Sequence, residues 1–159
     1  MNVSLHQRPA QRGMVLLVSL VFLLLLTVIG LSSMQSANLQ EKMAGSVSLR
    51  NQSFQTAEAA LRIGESAVQL STYSLAVCAN TTQCAPPAES TVVTAAGLNS
   101  TSGVTWIAAG NGFYGVQNIG TTLTAVNVPS NTSATLYRVT AVGIVGSSRS
   151  VVESVYAKY

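Results

Sequence analysis

The sequence predicts an α+β fold: one long N-terminal helix, apolar in its first half and amphipathic in its second, packed on an antiparallel β-sheet. Three observations carry this. No charged residue stands between Arg12 and Glu41. Apolar residues then recur every seventh position at Val47, Phe54, Leu61 and Val68. Beyond about residue 90 the composition turns to Thr, Val, Ser, Gly and Asn in short runs broken by turn formers, a β-type pattern.

The first element follows from composition. Of the 18 residues from Met14 to Leu31, only Ser19, Thr27 and Gly30 are not Met, Val, Leu, Ile or Phe. A helix crosses a bilayer with about 17 to 25 such residues, and this run sums to roughly −5 kcal/mol on insertion scales. A retained membrane helix over residues 14–35 is expected. The competing reading is a cleaved secretory signal ending near Gly30-Leu31-Ser32, but such a core is usually about 7 to 15 residues long, and the helical pattern continues past it.

The second element is the amphipathic continuation over residues 36–73, which contains no proline. Val47, Phe54, Leu61 and Val68, with Met43, Ala57 and Gly64 one turn away, form a stripe at helical spacing, opposite Gln52, Gln55, Arg62, Glu65 and Gln69. A helix from Met14 to about Tyr73 would run roughly 90 Å at the usual rise. Its polar half must lie on a domain of its own chain, so Val47, Phe54, Ala57, Leu61, Gly64 and Val68 are expected at a helix–sheet contact, with Ala57 and Gly64 permitting close approach.

The third element is the sheet, in residues 74–159. The β-type runs are Thr91–Ala95, Val104–Ala108, Thr121–Val128, Thr135–Val145 and Ser150–Tyr156, with Pro129 among the breaks and Asn99–Gly115 containing a loop. Tyr137-Arg138-Val139-Thr140-Ala141 alternates as a strand with one buried face does, and Gly146-Ser147-Ser148-Arg149 reads as a hairpin turn. Trp106, Phe113, Tyr114 and Tyr137 are expected in packing roles.

Charge excludes several functions. The chain nets +3, and Arg8 and Arg12 supply two of those charges ahead of the apolar run. Basic character thus belongs to the leader, where it holds the N-terminus on the cytoplasmic side; a nucleic-acid surface is not indicated, and no direct nucleic-acid contact is expected. The only histidine is His6 and there is no Asp, so no enzymatic triad or metal-bound water can be assembled and no cofactor or metal is expected. Cys78 and Cys84 bracket Ala-Asn-Thr-Thr-Gln before Pro86 and Pro87. Too few other ligands exist for a metal; outside the cytoplasm the pair is expected to be a disulfide closing a small loop.

Arg12-Gly13 before an apolar helix resembles the class III leader of type IV pilins. The longer string, through Gly30-Leu31-Ser32, Gln40-Glu41-Lys42-Met43-Ala44-Gly45, Arg50-Asn51 and Phe54-Gln55-Thr56-Ala57-Glu58-Ala59-Ala60-Leu61-Arg62 to Glu65, resembles the N-terminal region of PilX-type minor pilins. Tyr137–Ala141 and Ser154-Val155-Tyr156 are similar to the closing hairpin of that group, while residues 76–134 match no family pattern. The resemblance implies a pilin-like fold and a leader, residues 1–13, removed by prepilin peptidase between Gly13 and Met14 with methylation of the new N-terminus. It also implies an inner-membrane precursor with a periplasmic C-terminal domain that later enters a pilus fibre with other minor pilins and the major pilin. The major-pilin pattern has Glu at the fifth mature position, taken to pair with a neighbour's N-terminal amine; here that position is Val18. A buried carboxylate is costly without its countercharge, so Val18 fits a subunit with no neighbour ahead of it, at the tip or start of a fibre, as in the tip pseudopilin of type II secretion. Val18 as plain lipid-facing filler is the simpler alternative. A membrane-anchored binding module or adhesin, its loops touching a surface ligand, is the reading from another class.

Overall fold

The structure, a computed structural model, describes residues 12–159. His6, Arg8 and the rest of the expected leader up to residue 11 lie outside the described residues. The chain divides into two compact units at Ala44/Gly45, and helix α1 (Arg12–Gln69) contributes to both.

In the first unit, every described side chain from Met14 to Ala44 is exposed. The hydroxyls here turn back onto their own helix: Ser19 Oγ donates to Leu16 O at 2.9 Å and Thr27 Oγ1 to Leu24 O at 2.8 Å. Both polar side chains are thereby satisfied without water, a requirement of any segment placed in hydrocarbon.

In the second unit, β1 (Gly97–Leu98), β2 (Thr105–Ala109), β3 (Gly112–Thr122), β4 (Ala134–Val145) and β5 (Ser148–Lys158) form one antiparallel sheet in the order β1-β2-β3-β4-β5. A two-residue turn joins β4 to β5, with Gly146 at φ 57°, the left-handed conformation that tight hairpins require at this point. Register fixes two faces. Tyr114, Val116, Tyr137, Val139 and Ala141 look toward α1 and pack with Ala60 and Val68, joined by Leu61, Tyr73, Val152 and Tyr156. Val142 and Trp106 belong to a second cluster with Val93 and Val104, under the segment that follows the cysteine loop. A short helix α2 (Thr81–Cys84), capped by the Asn80 side chain, and a 3-10 turn (Ala88–Thr91) lie in that segment.

Several expectations are corrected. Thr91–Ala95 is not a strand despite its β-branched residues. Pro87 starts the 3-10 turn, and Glu89 anchors it by accepting from Trp106 Nε1 at 3.2 Å and from Ser102 Oγ, so tertiary bonds override local preference. Thr121–Val128 is strand only through Thr122; Asn127 and Asn131 take positive φ on either side of Pro129 and the chain loops out. Conversely β3 begins at Gly112, inside the stretch read as loop. Its glycines answer to packing: a Cβ on Gly112 would collide with the Val142 main-chain carbonyl, and one on Gly115 with the Val104 side chain. Helix α1 ends at Gln69 rather than near Tyr73.

The buried face of α1 also differs from the expected one. Ser53, Ala57, Ala60, Gly64 and Val68 are buried, whereas Val47 and Phe54 are 57% and 47% exposed. The helix approaches the sheet so closely that only small residues fit along most of the seam. The bulky members of the seven-residue pattern stand to its side, and of these Leu61 is partly buried.

Candidate functional site

The candidate site begins at the expected processing junction. Gly13 and Met14 occupy the first turn of α1, and nothing lies within 4 Å of where a Gly13 side chain would be. Val18 sits one turn on, 49% exposed, in a surface that includes Leu17, Val21 and Phe22. An 18-residue window of this helix has a mean hydropathy of 3.0 and none of it is buried within the chain. By length and composition the helix can cross a membrane. An apolar surface of this extent, all round one helix, is stable only in lipid or among other apolar helices.

The expected contact residues on α1 are placed as follows. Ala57 and Val68 are fully buried, and Gly64 lies where an added Cβ would stand 2.6 Å from Val139 Cγ1 and 2.8 Å from Tyr114 Cδ2. Leu61 packs at the margin of the core, and Val47 and Phe54 stay outside it. Sequence reasoning missed Ser53, which is fully buried. Its Oγ lies 3.1 Å from Ser148 Oγ and 2.8 Å from Ser150 Oγ, and donates to Arg50 O at 2.9 Å. It also missed Glu65, which accepts from Ser154 Oγ at 2.6 Å. The signal for Ser53 was its place four residues before Ala57, on the face of small residues.

Cys78 and Cys84 form a disulfide with a Cα–Cα distance of 5.2 Å. The loop they close is also fastened by hydrogen bonds. Cys78 N donates to Asn118 O at 2.9 Å, Gln117 Nε2 donates to Ala85 O at 3.0 Å, and Arg138 Nη1 donates to Cys84 O at 2.6 Å. Arg138 is held in turn by Glu153, Nε to Oε1 at 3.1 Å. A sequence alone pairs the cysteines but does not bring Gln117, Arg138 and Glu153, from three strands, to one loop.

Just past the C-terminal end of α1, Lys158 Nζ donates to Leu70 O at 2.6 Å and to Tyr73 O at 3.0 Å, placing a cation near the negative end of the helix. Tyr73 stacks edge-on against Tyr137 at 5.6 Å between ring centroids. Burial, then the neighbouring Tyr114 and Tyr137, push its hydroxyl above the ordinary tyrosine range. Among the described residues no group of three or more His, Cys, Asp or Glu side chains could hold a metal ion.

The PilX N-terminal family model matches residues 12–62, which takes in Gly13 and Met14, the apolar helix and the first part of the small-residue seam. No curated protein matches the chain, and no solved structure does. The matched region is about a third of the chain, and together with the helix-on-sheet fold it supports a PilX-type pilin, related to the type IV pilus.

Proposed function

We propose that the protein is a minor pilin that helps prime type IV pilus assembly and sits at or near the fibre tip. The observation that carries this reading is the apolar helix surface from Met14 to Leu31, exposed on all sides and free of any carboxylate. Drawn from lipid, such a surface is sheltered by other apolar helices and by nothing else in the cell envelope. Shaft subunits of the major-pilin type bring a Glu that needs a neighbour's amine. With Val18 in that position the subunit has no unmet charge when nothing precedes it. Prepilin peptidase, the inner membrane, other minor pilins and the major pilin are the partners this implies, and a tip adhesin or surface ligand would meet the sheet unit.

The test is piliation in cells lacking the chain, with fibres counted by electron microscopy and the restored protein located by immunogold. The expected result is a large loss of fibres, recovered by the wild-type chain, and label at one fibre end. Unchanged fibre numbers, or label spread along the shaft, contradicts the reading. Val18→Glu is expected to impair recovery, because it places a carboxylate in the helix bundle with no amine to meet it.

A further inference from the structure

Strand β5 is the outer strand of the sheet, 11 residues long, paired with β4 without a register shift from Ser148 to Lys158. Its other edge is open. Among the described residues no backbone hydrogen bond leaves β5 except toward β4. Long open edges are ordinarily blunted by proline, bulges or free charges that repel an incoming strand. Here proline and bulge are absent, and each charge is tied into its own fold. Glu153 pairs with Arg138, Lys158 donates to Leu70 O and Tyr73 O, and Arg149 Nη1 donates to Ser90 O at 3.3 Å. The strand keeps its pairing capacity and has lost its usual guards.

Beside this edge, between α1 and the start of β5, lies an open groove. One cavity of about 390 Å³ is lined by Arg50, Asn51, Phe54, Arg149, Ser150 and Val151. A second, of about 370 Å³, adjoins it at Arg50 and runs past Val47 to Ser148. Neither has a carboxylate in its wall. The Arg50 guanidinium has no hydrogen-bond or ion-pair partner among the described residues, and the Phe54 ring beside it is the exposed apolar residue that the close helix–sheet seam leaves out. A strand added to β5 would turn alternate side chains into this groove. One would meet the Phe54 ring and the next the Arg50 guanidinium.

We propose that the β5 edge and the Arg50–Phe54 groove form a docking site for an extended, acidic segment of a partner protein. The segment adds as a sixth strand, its main chain bonding to β5 and its carboxylate and apolar side chains alternating over Arg50 and Phe54. Main-chain bonding supplies affinity and the groove supplies specificity, the usual division of labour in strand addition. Arg suits a carboxylate because its donors match both oxygens. The inference uses only the sheet unit and stands apart from the priming role.

The experiment uses the full chain in detergent micelles and a dye-labelled, end-capped peptide whose every second residue is in turn glutamate and valine, with threonine between them, so that one strand face carries both; binding is followed by fluorescence anisotropy. Three comparisons accompany it: the same peptide with lysine for glutamate, the same peptide N-methylated at alternate amides, and the Arg50→Glu variant, whose change is on the surface. Expected are saturable binding of the acidic peptide, no binding of the N-methylated one, and slowed amide exchange along β5 in the complex. Arg50→Glu should weaken the acidic peptide by about tenfold, the scale of one lost charge-assisted pair, and favour the lysine peptide instead. The proposal is overturned by equal binding of both charges, by binding that survives N-methylation, or by failure of the acidic peptide to bind. It is overturned too if β5 exchange slows with protein concentration alone, which would make the edge a self-pairing surface.

Discussion

Gly143 of β4 lies against the backbone of Ala57 in α1. A Cβ on Gly143 would stand 3.0 Å from the Ala57 Cα and closer still to Ala57 N and Ser53 O. The neighbours are main-chain atoms, so they cannot swing aside, and this one contact sets how near the helix comes to the sheet. Everything else along the seam follows from it: Ser53, Ala57, Ala60 and Gly64 are small because the gap is.

Gly143→Ala is therefore expected to destabilise the sheet unit by about 3 kcal/mol, the upper range for overpacking. Gly45→Ala is its counterpart. That position is helical with nothing within 4 Å, and the change should stabilise by about 0.5 to 1 kcal/mol through helix preference alone. Chemical denaturation of the two variants, monitored by circular dichroism, checks both signs. Equal effects of the same sign would mean the seam is looser than described.

The cysteine loop should outlast its disulfide. Closing so small a ring stabilises by about 2 kcal/mol on the chain-entropy account, while Arg138, Gln117 and Asn118 hold the loop independently. A Cys78→Ala/Cys84→Ala variant is expected to melt earlier yet keep slow amide exchange at residue 78, whose N–H bonds to Asn118 O. Fast exchange there in an otherwise folded protein would show that the covalent bond alone docks the loop.

Alkaline pH should loosen the end of α1. The Tyr73 hydroxyl is pushed above its ordinary value near 10 by burial first and by Tyr114 and Tyr137 second. In the folded state it holds its proton where the unfolded chain has begun to lose it. Its stabilising contribution is thus complete below about pH 10 and is lost as pH rises through the folded value. Stability measured from pH 9 upward should fall less steeply in Tyr73→Phe than in the wild type. Parallel slopes would remove Tyr73 as a source of the dependence.

The sequence and the structure agree most where a pattern is long and chemically uniform. The apolar helix from Met14 and the hairpin around Tyr137 and Ser150 were legible because periodicity and hydropathy report them directly. The small-residue seam was half legible. Ala57, Gly64 and Val68 fell on the right face, but Phe54 and Val47 drew the eye for their size and lie outside, since spacing does not show how close two backbones come. Strand β3 was lost to its own glycines: Gly112 and Gly115 look like loop residues until the Val142 carbonyl and the Val104 side chain are seen against them. The network of Arg138, Glu153, Gln117 and Cys84 is made of bonds between positions 15 to 54 apart in the chain, and no local pattern announces it.

The central claim is that the helix beginning at Met14 is retained after removal of a leader and carries the subunit into a fibre. Mass spectrometry of the N-terminal peptide, from protein isolated with the membrane and with sheared fibres, tests it most directly. The account predicts a chain starting at N-methylated Met14 in both fractions, and a Gly13 variant left unprocessed with its leader attached. A mature chain starting near Ser33 and free of the membrane would contradict it.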